Sequence, residues 1–123
     1  MNFNKLQLAA MAKVGKSMAL ADGKLEKEEL MVMAAGFAEF GIHGDDFKLI
    51  LSLADSMNPE QMLSTLSNLN IEQKKFVCGF LSTIMIADGE IDESEEKLWQ
   101  LTSMFANFPT MTIKEASDYW RTH

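Results

Sequence analysis

The 123-residue chain has one cysteine, two prolines and one tyrosine, and only 11 Lys and Arg residues against 18 Asp and Glu. A lone Cys78 closes no internal disulfide, which fits a reducing compartment. The shortage of bases gives a net charge of −7, which argues against nucleic acid, a ligand that rewards Lys and Arg. Long apolar runs are also missing. The longest, Phe76 to Ala87, spans twelve residues, where about twenty are needed to cross a bilayer. Near the N-terminus, Ala19-Leu20-Ala21 mimics a signal cleavage site, but Lys13 and Lys16 interrupt the apolar region before it. The expectation is therefore a cytoplasmic protein with no transmembrane segment. Residues 1–123 are read as one domain, long enough to bury a core.

Period-two alternation is missing too, and with it the signature of a sheet. What remains is helical. Capping residues recur three positions before Glu or Gln: Asn4 with Gln7, Asn58 with Gln61, Asn70 with Gln73, Asp92 with Glu95, and Thr112 with Glu115. Such pairs satisfy orphan N–H groups at a helix start. Pro59 follows Asn58, at the helical position that best tolerates proline. The predicted helices are 4–20, 26–40, 45–56, 59–68, 71–86, 92–107 and 112–120. Gly41 and Gly44 bracket a break after the second helix, and Pro109 is expected to stop the sixth. Apolar spacing assigns inward faces to Leu6, Ala9, Ala10, Val14 and Met18 in the first helix and to Leu30, Met33, Ala34 and Phe37 in the second. In the sixth it assigns Leu98, Leu101 and Phe105. The fifth helix, with Phe76, Phe80, Leu81, Ile84 and Met85, is apolar around most of its girth and should be central. Ten methionines are expected chiefly to fill core gaps.

One acidic phrase occurs twice. "ADGKLEKEEL" starts at Ala21 and "ADGEIDESEE" at Ala87, an offset of 66. Asp22 matches Asp88, Gly23 matches Gly89, Leu25 matches Ile91, Glu26 matches Asp92, and Glu29 matches Glu95. Each phrase lies between two predicted helices, as in a duplicated helix–turn–helix unit. Residues 88–96 hold six acids and no base, and residues 22–29 hold four acids and two lysines.

Three readings of the phrase compete. An EF-hand loop needs oxygen ligands at its first and third positions. Met18 and Leu20 would stand there in one copy, Ile84 and Ile86 in the other, so this reading fails twice. Helix punctuation is the second: Asp-Gly turns the chain, and acids suit the positive end of the next helix. It accounts for Asp92 and Glu95, but Glu26 is a poor cap and leaves Glu29 without that explanation. The third is a cation site, in which Asp22, Glu26 and Glu29, and Asp88, Asp92 and Glu95, present carboxylates to calcium or magnesium. No Cys or His lies in either phrase, which disfavours zinc.

The paired "ADG-x-[IL]-[DE]-x-x-E" units resemble the TerB-like family of tellurite-resistance proteins and related all-helical domains. The matching positions are Asp22, Gly23 and Glu29, and Asp88, Gly89 and Glu95. The resemblance implies an all-α fold of about seven helices with an internal pseudo-repeat and acidic residues proposed to bind metal. It also implies a role in stress-associated or membrane-linked assemblies.

Catalytic patterns are otherwise weak. Gly15-Lys16-Ser17 ends like a phosphate-binding loop, but Ala10 stands where that loop needs glycine and no strand precedes it. His43 and His123 have no nucleophile or ligand pattern beside them. Acid pairs serve glycosidases, yet Trp99, Tyr119 and Trp120 are the only Trp and Tyr residues and crowd the C-terminal quarter. The expectation is a binding or assembly module, not an enzyme, using a divalent cation held by the acidic turns. The alternative is a protein-interaction adaptor with a Met-rich or Trp-bearing surface and purely structural turns.

Overall fold

The structure is a computed structural model. It describes residues 2–21, 27–39, 41–87, 91 and 93–122, with residues 28–30 described in backbone only. The chain folds into seven helices: α1 (Lys5–Ala19), α2 (Lys27–Ala38), α3 (Asp45–Ser56), α4 (Pro59–Ser67), α5 (Ile71–Met85), α6 (Glu93–Phe105) and α7 (Ile113–Thr122). No strand occurs among the described residues. The all-α expectation holds, and every helix begins and ends within two residues of its sequence-based bounds.

Local chemistry sets the starts. The Asn4, Asn58 and Asn70 side chains each accept the backbone N–H of a glutamine three residues on, and that glutamine accepts the asparagine N–H in return. Thr112 and Glu115 do the same at α7, at 3.0 Å in both directions. Asp92 lies outside the described residues, so the fifth expected box does too.

The end of α6 differs from expectation. The helix ends at Phe105; Asn107 follows with φ 57°, and the Phe108 N–H reaches back to the Ser103 carbonyl at 2.9 Å. This is a left-handed closure that satisfies a terminal carbonyl; Pro109 comes after the helix has already ended. Gly41, at φ 79°, closes α2 the same way, with the Ile42 N–H on the Phe37 carbonyl at 3.1 Å.

Helices α1 and α5 form the centre. The Asn2 carbonyl accepts from Gln73 Nε2 at 2.8 Å, and the rings of Phe3 and Phe76 lie 6.1 Å apart. Farther along, Phe80 and Ile84 crowd Gly15. Start meets start and end meets end, so the two helices run parallel. Helix α2 packs back over them, with Phe37 edge-on to Phe80 at 5.4 Å. On another side of α1, Lys13 Nζ reaches the Ala54 carbonyl at 3.4 Å and Lys16 pairs with Asp55 at 3.0 Å. Helix α7 lies across α5, its Trp120 ring 4.7 Å from Phe76 and 6.0 Å from Phe80. Helix α6 runs back beside the core, and Lys74 of α5 donates to the Asn107 carbonyl at its end, 3.0 Å away.

Most of the core matches the apolar spacing. Ala9, Ala10, Val14, Met18, Met33, Phe37 and the five named residues of α5 are buried, as are Met11, Met57, Met62 and Met85. Two assignments are corrected. Leu6 is exposed. In α6 the inward row is Glu95, Trp99, Thr102 and Ala106, while Leu98 is half-buried and Leu101 and Phe105 face water. Both rows have helical spacing. Packing of α6 against α1 and α4 selects the row carrying the tryptophan, although the other row is the more apolar.

The described termini also keep a register of 66 residues. The capping boxes of α1 and α5 start at Asn4 and Asn70. Leu20 and Ile86 cap the ends of those helices with φ −93° and −99° and ψ 1° and 5°. Their N–H groups reach Lys16 and Ser82, and the next N–H groups reach Met18 and Ile84. The left-handed closures of α2 and α6 fall at Gly41 and Asn107.

Candidate functional site at the acidic turns

Because α1 and α5 are parallel, both acidic turns leave from one end of the central pair. The chain departs at Leu20-Ala21 and at Ile86-Ala87 in matching backbone geometry. Asp22, Glu26, Asp88 and Asp92 lie outside the described residues. Glu29 is described only as part of the α2 backbone. Of the six candidate ligands, Glu95 is the one whose side chain is placed.

That side chain is buried, with 2% of its surface exposed. Its neighbours in the first turn of α6, Glu93 and Glu96, are exposed. The difference is one of helical phase. Glu95 heads the inward row that continues through Trp99, Thr102 and Ala106, at spacings of four, three and four. Removing a carboxylate from water is costly, and charge-assisted contacts must offset it. The positive end of α6 contributes in that direction. The sequence carries this signal in the spacing to Trp99, although acidity alone would place Glu95 outside.

Among the described residues no three His, Cys, Asp or Glu side chains converge to hold a metal. The chemistry available at this end is carboxylate oxygen, which suits hard cations.

Other candidates settle into structural roles. Burial pushes the Cys78 thiol up to about 12, so it stays protonated and unreactive at neutral pH. Gly15 is buried against Phe80 and Lys16 pairs with Asp55, so that trio is part of a packed helix. Trp99 is buried and Trp120 packs against Phe76, the two rings tilted at 54°. The Tyr119 hydroxyl donates to Glu72 at 3.0 Å; partial burial and the neighbouring carboxylate raise its pKa. The Trp-bearing C-terminal stretch is thus largely packed away. The exposed apolar residues near it are Leu101, Met104 and Phe105 of α6.

Two open clefts lie away from the turns. One, of about 510 Å³, is lined by Leu6 of α1, Leu53 and Met57 at the end of α3, and Glu60, Ser64 and Thr65 of α4. The other, of about 410 Å³, lies between Trp99, Ser103 and Met104 of α6 and the segment Phe108–Met111. No described helix is long and apolar enough to cross a membrane.

The same architecture occurs in a crystal structure of a protein of unknown function from Porphyromonas gingivalis. The two chains share 39% sequence identity with a TM-score of 0.86, over 98% of this chain and 92% of the other. The chain belongs to that protein's family. Neither a protein-family model nor a curated protein matches the chain. Identity at this level across nearly the whole length ties the relative to the same helix order, including the parallel central pair from which the turns depart.

Proposed function

We propose that the protein is a non-catalytic binding module of the TerB-like type that takes a divalent cation, calcium or magnesium, through its duplicated acidic turns. The observation that carries this reading is the parallel pairing of α1 and α5, which sends both turns out from one end of the molecule. The 66-residue register of caps and closures supports a duplicated unit, so the two turns are offered as equivalents. Burial of Glu95 supports a carboxylate held for more than solubility. Carboxylates gathered at one end repel, and a cation between them relieves that repulsion. We place the module in the cytoplasm, where a single reduced thiol is at home, and link it to assembly rather than to catalysis.

Calorimetric titration of metal-free protein with calcium and with magnesium tests the reading. Binding is expected with Kd on the order of 10⁻⁴ to 10⁻³ M, as for an incomplete oxygen cage. It should be accompanied by a higher melting temperature. Asp88→Asn and Glu95→Gln should each abolish the shift while leaving the helical circular dichroism spectrum intact. The Asp88 turn should bind more tightly than the Asp22 turn, where Lys24 and Lys27 offset the charge. Saturating divalent cation that does no more than sodium at equal ionic strength would overturn the proposal. The turns would then be helix punctuation, and the adaptor reading, favoured by the bare apolar residues of α6, would stand in its place.

A further inference from the structure

Three of the large exposed apolar side chains lie within five residues of α6: Leu101 at 49% exposure, Met104 at 67% and Phe105 at 63%. We propose that this face of α6 is a docking surface for a basic amphipathic helix of a partner protein. The inference goes beyond the cation reading and stands whether or not a cation binds.

Helical spacing sorts the face into rows. Ser94, Leu98, Leu101 and Phe105 form one row, and Glu93, Lys97, Gln100 and Met104 form the next. A third, Glu96, Gln100, Ser103 and Asn107, lines the 410 Å³ cleft through its last three members, beside Met104. The first row offers a hydrophobic stripe, half-buried at Leu98 and open at Leu101 and Phe105. The cleft, lined by Met104 on the far side of the second row, offers room for an anchoring side chain. A helix laid along this face, with apolar residues at i, i+3, i+4 and i+7, would cover Leu101, Met104 and Phe105.

Charge selects the occupant. The one base of α6, Lys97, is paired with Glu93 at 3.7 Å. Glu96 is exposed in the first turn of α6, and residues 88–92, which precede the helix in the sequence, hold three more acids and no base. The whole chain carries −7. A second copy would bring acid against acid, whereas a helix flanked by Lys and Arg meets opposite charge. An anionic membrane surface is disfavoured for the same reason as a second copy.

The test uses fluorescence anisotropy with a labelled synthetic amphipathic helix of leucine and lysine, about 18 residues long. Its controls are a leucine–glutamate helix of the same pattern and a serine–lysine peptide without the apolar row. Only the leucine–lysine helix is expected to bind, and more weakly as salt rises. Phe105→Ser should reduce its affinity about tenfold or more, whereas Leu49→Ser, at an exposed site on α3, should leave it unchanged. Met104→Lys and Glu96→Lys, both at exposed positions, give the same reading should Phe105→Ser disturb the fold. Equal binding of the glutamate helix, no binding of the lysine helix, or indifference to the α6 substitutions would overturn the proposal. So would a dimer in sedimentation experiments that Phe105→Ser dissolves, since the occupant would then be a second copy.

Discussion

Helix α5 has eleven of its fifteen residues buried, whereas α6, the next helix along the chain, buries three of thirteen and leaves three large apolar side chains in water. What separates them is what lies against each. Helix α5 has α1, α2 and α7 around it, and α7 comes so close that a Cβ at Gly79 would lie 3.0 Å from the Trp120 Cβ and 3.1 Å from the Ala116 carbonyl oxygen. Helix α6 rests on one row only. A buried apolar side chain in α5 is therefore part of the fold, and an exposed one on the outer side of α6 is free for something else.

The sharpest way to break that contrast is Phe80→Ala. Phe80 is fully buried between Phe37 and Trp120. Its truncation should cost about 3–5 kcal/mol in denaturant melts, the usual loss for a buried ring. A loss under roughly 1 kcal/mol would mean that α5 is not the packed centre. Gly79→Ala probes the same interface from the other side. The added methyl has backbone and Trp120 in its way, so about 1–3 kcal/mol of destabilisation is expected from overpacking.

These positions also mark what a sequence makes legible. Helix starts are readable because capping is local: an asparagine and a glutamine three residues on satisfy each other wherever the helix goes. The girth of α5 is readable because its stretch from Phe76 to Met85 is apolar except at Gly79, Ser82 and Thr83. The facing of α6 is not. Leu98-Leu101-Phe105 and Trp99-Thr102-Ala106 are both plausible inward rows, and only the neighbouring helices decide between them. The end of α6 eludes the sequence because Asn107 in a left-handed conformation announces itself less loudly than Pro109. At the turns, sequence names six carboxylates. The structure adds the burial of Glu95 and the common end from which the turns depart, while Asp22, Glu26, Asp88 and Asp92 lie outside the described residues. Acidity by itself gives no facing, because a carboxylate is ordinarily solvated.

Intermediate effects sharpen the comparison further. Asn70→Ala removes the cap that starts α5 and should cost about 1 kcal/mol in a thermal or denaturant melt. A neutral result would show that packing alone fixes where α5 begins. Phe105→Ser on α6 should change stability by no more than about 0.5 kcal/mol, since the ring is already largely in water. A loss comparable with Phe80→Ala would show that the α6 face belongs to the core and is not a surface kept open.

The smallest expected effect concerns how α7 is held against α5. Glu115 closes the α7 capping box, and the Thr112 backbone N–H, then the Thr112 hydroxyl, hold its carboxyl below the usual value of 4.5. The group is fully exposed, so its contribution is small and screened. The sign nevertheless follows. A carboxylate with a depressed folded pKa adds stability that is present above its unfolded pKa and is lost as pH falls through the folded one. Glu115→Gln keeps an oxygen to accept the Thr112 N–H but has no proton to gain. Between neutral pH and about pH 3, the melting temperature of the Glu115→Gln variant should therefore fall less than that of the parent protein. Parallel curves would mean that Glu115 titrates alike in the folded and unfolded chains. The start of α7 would then owe nothing to this carboxylate's charge, and the grip of α7 on α5 would rest on contacts such as those of Trp120 and Ala116 and the Tyr119–Glu72 hydrogen bond.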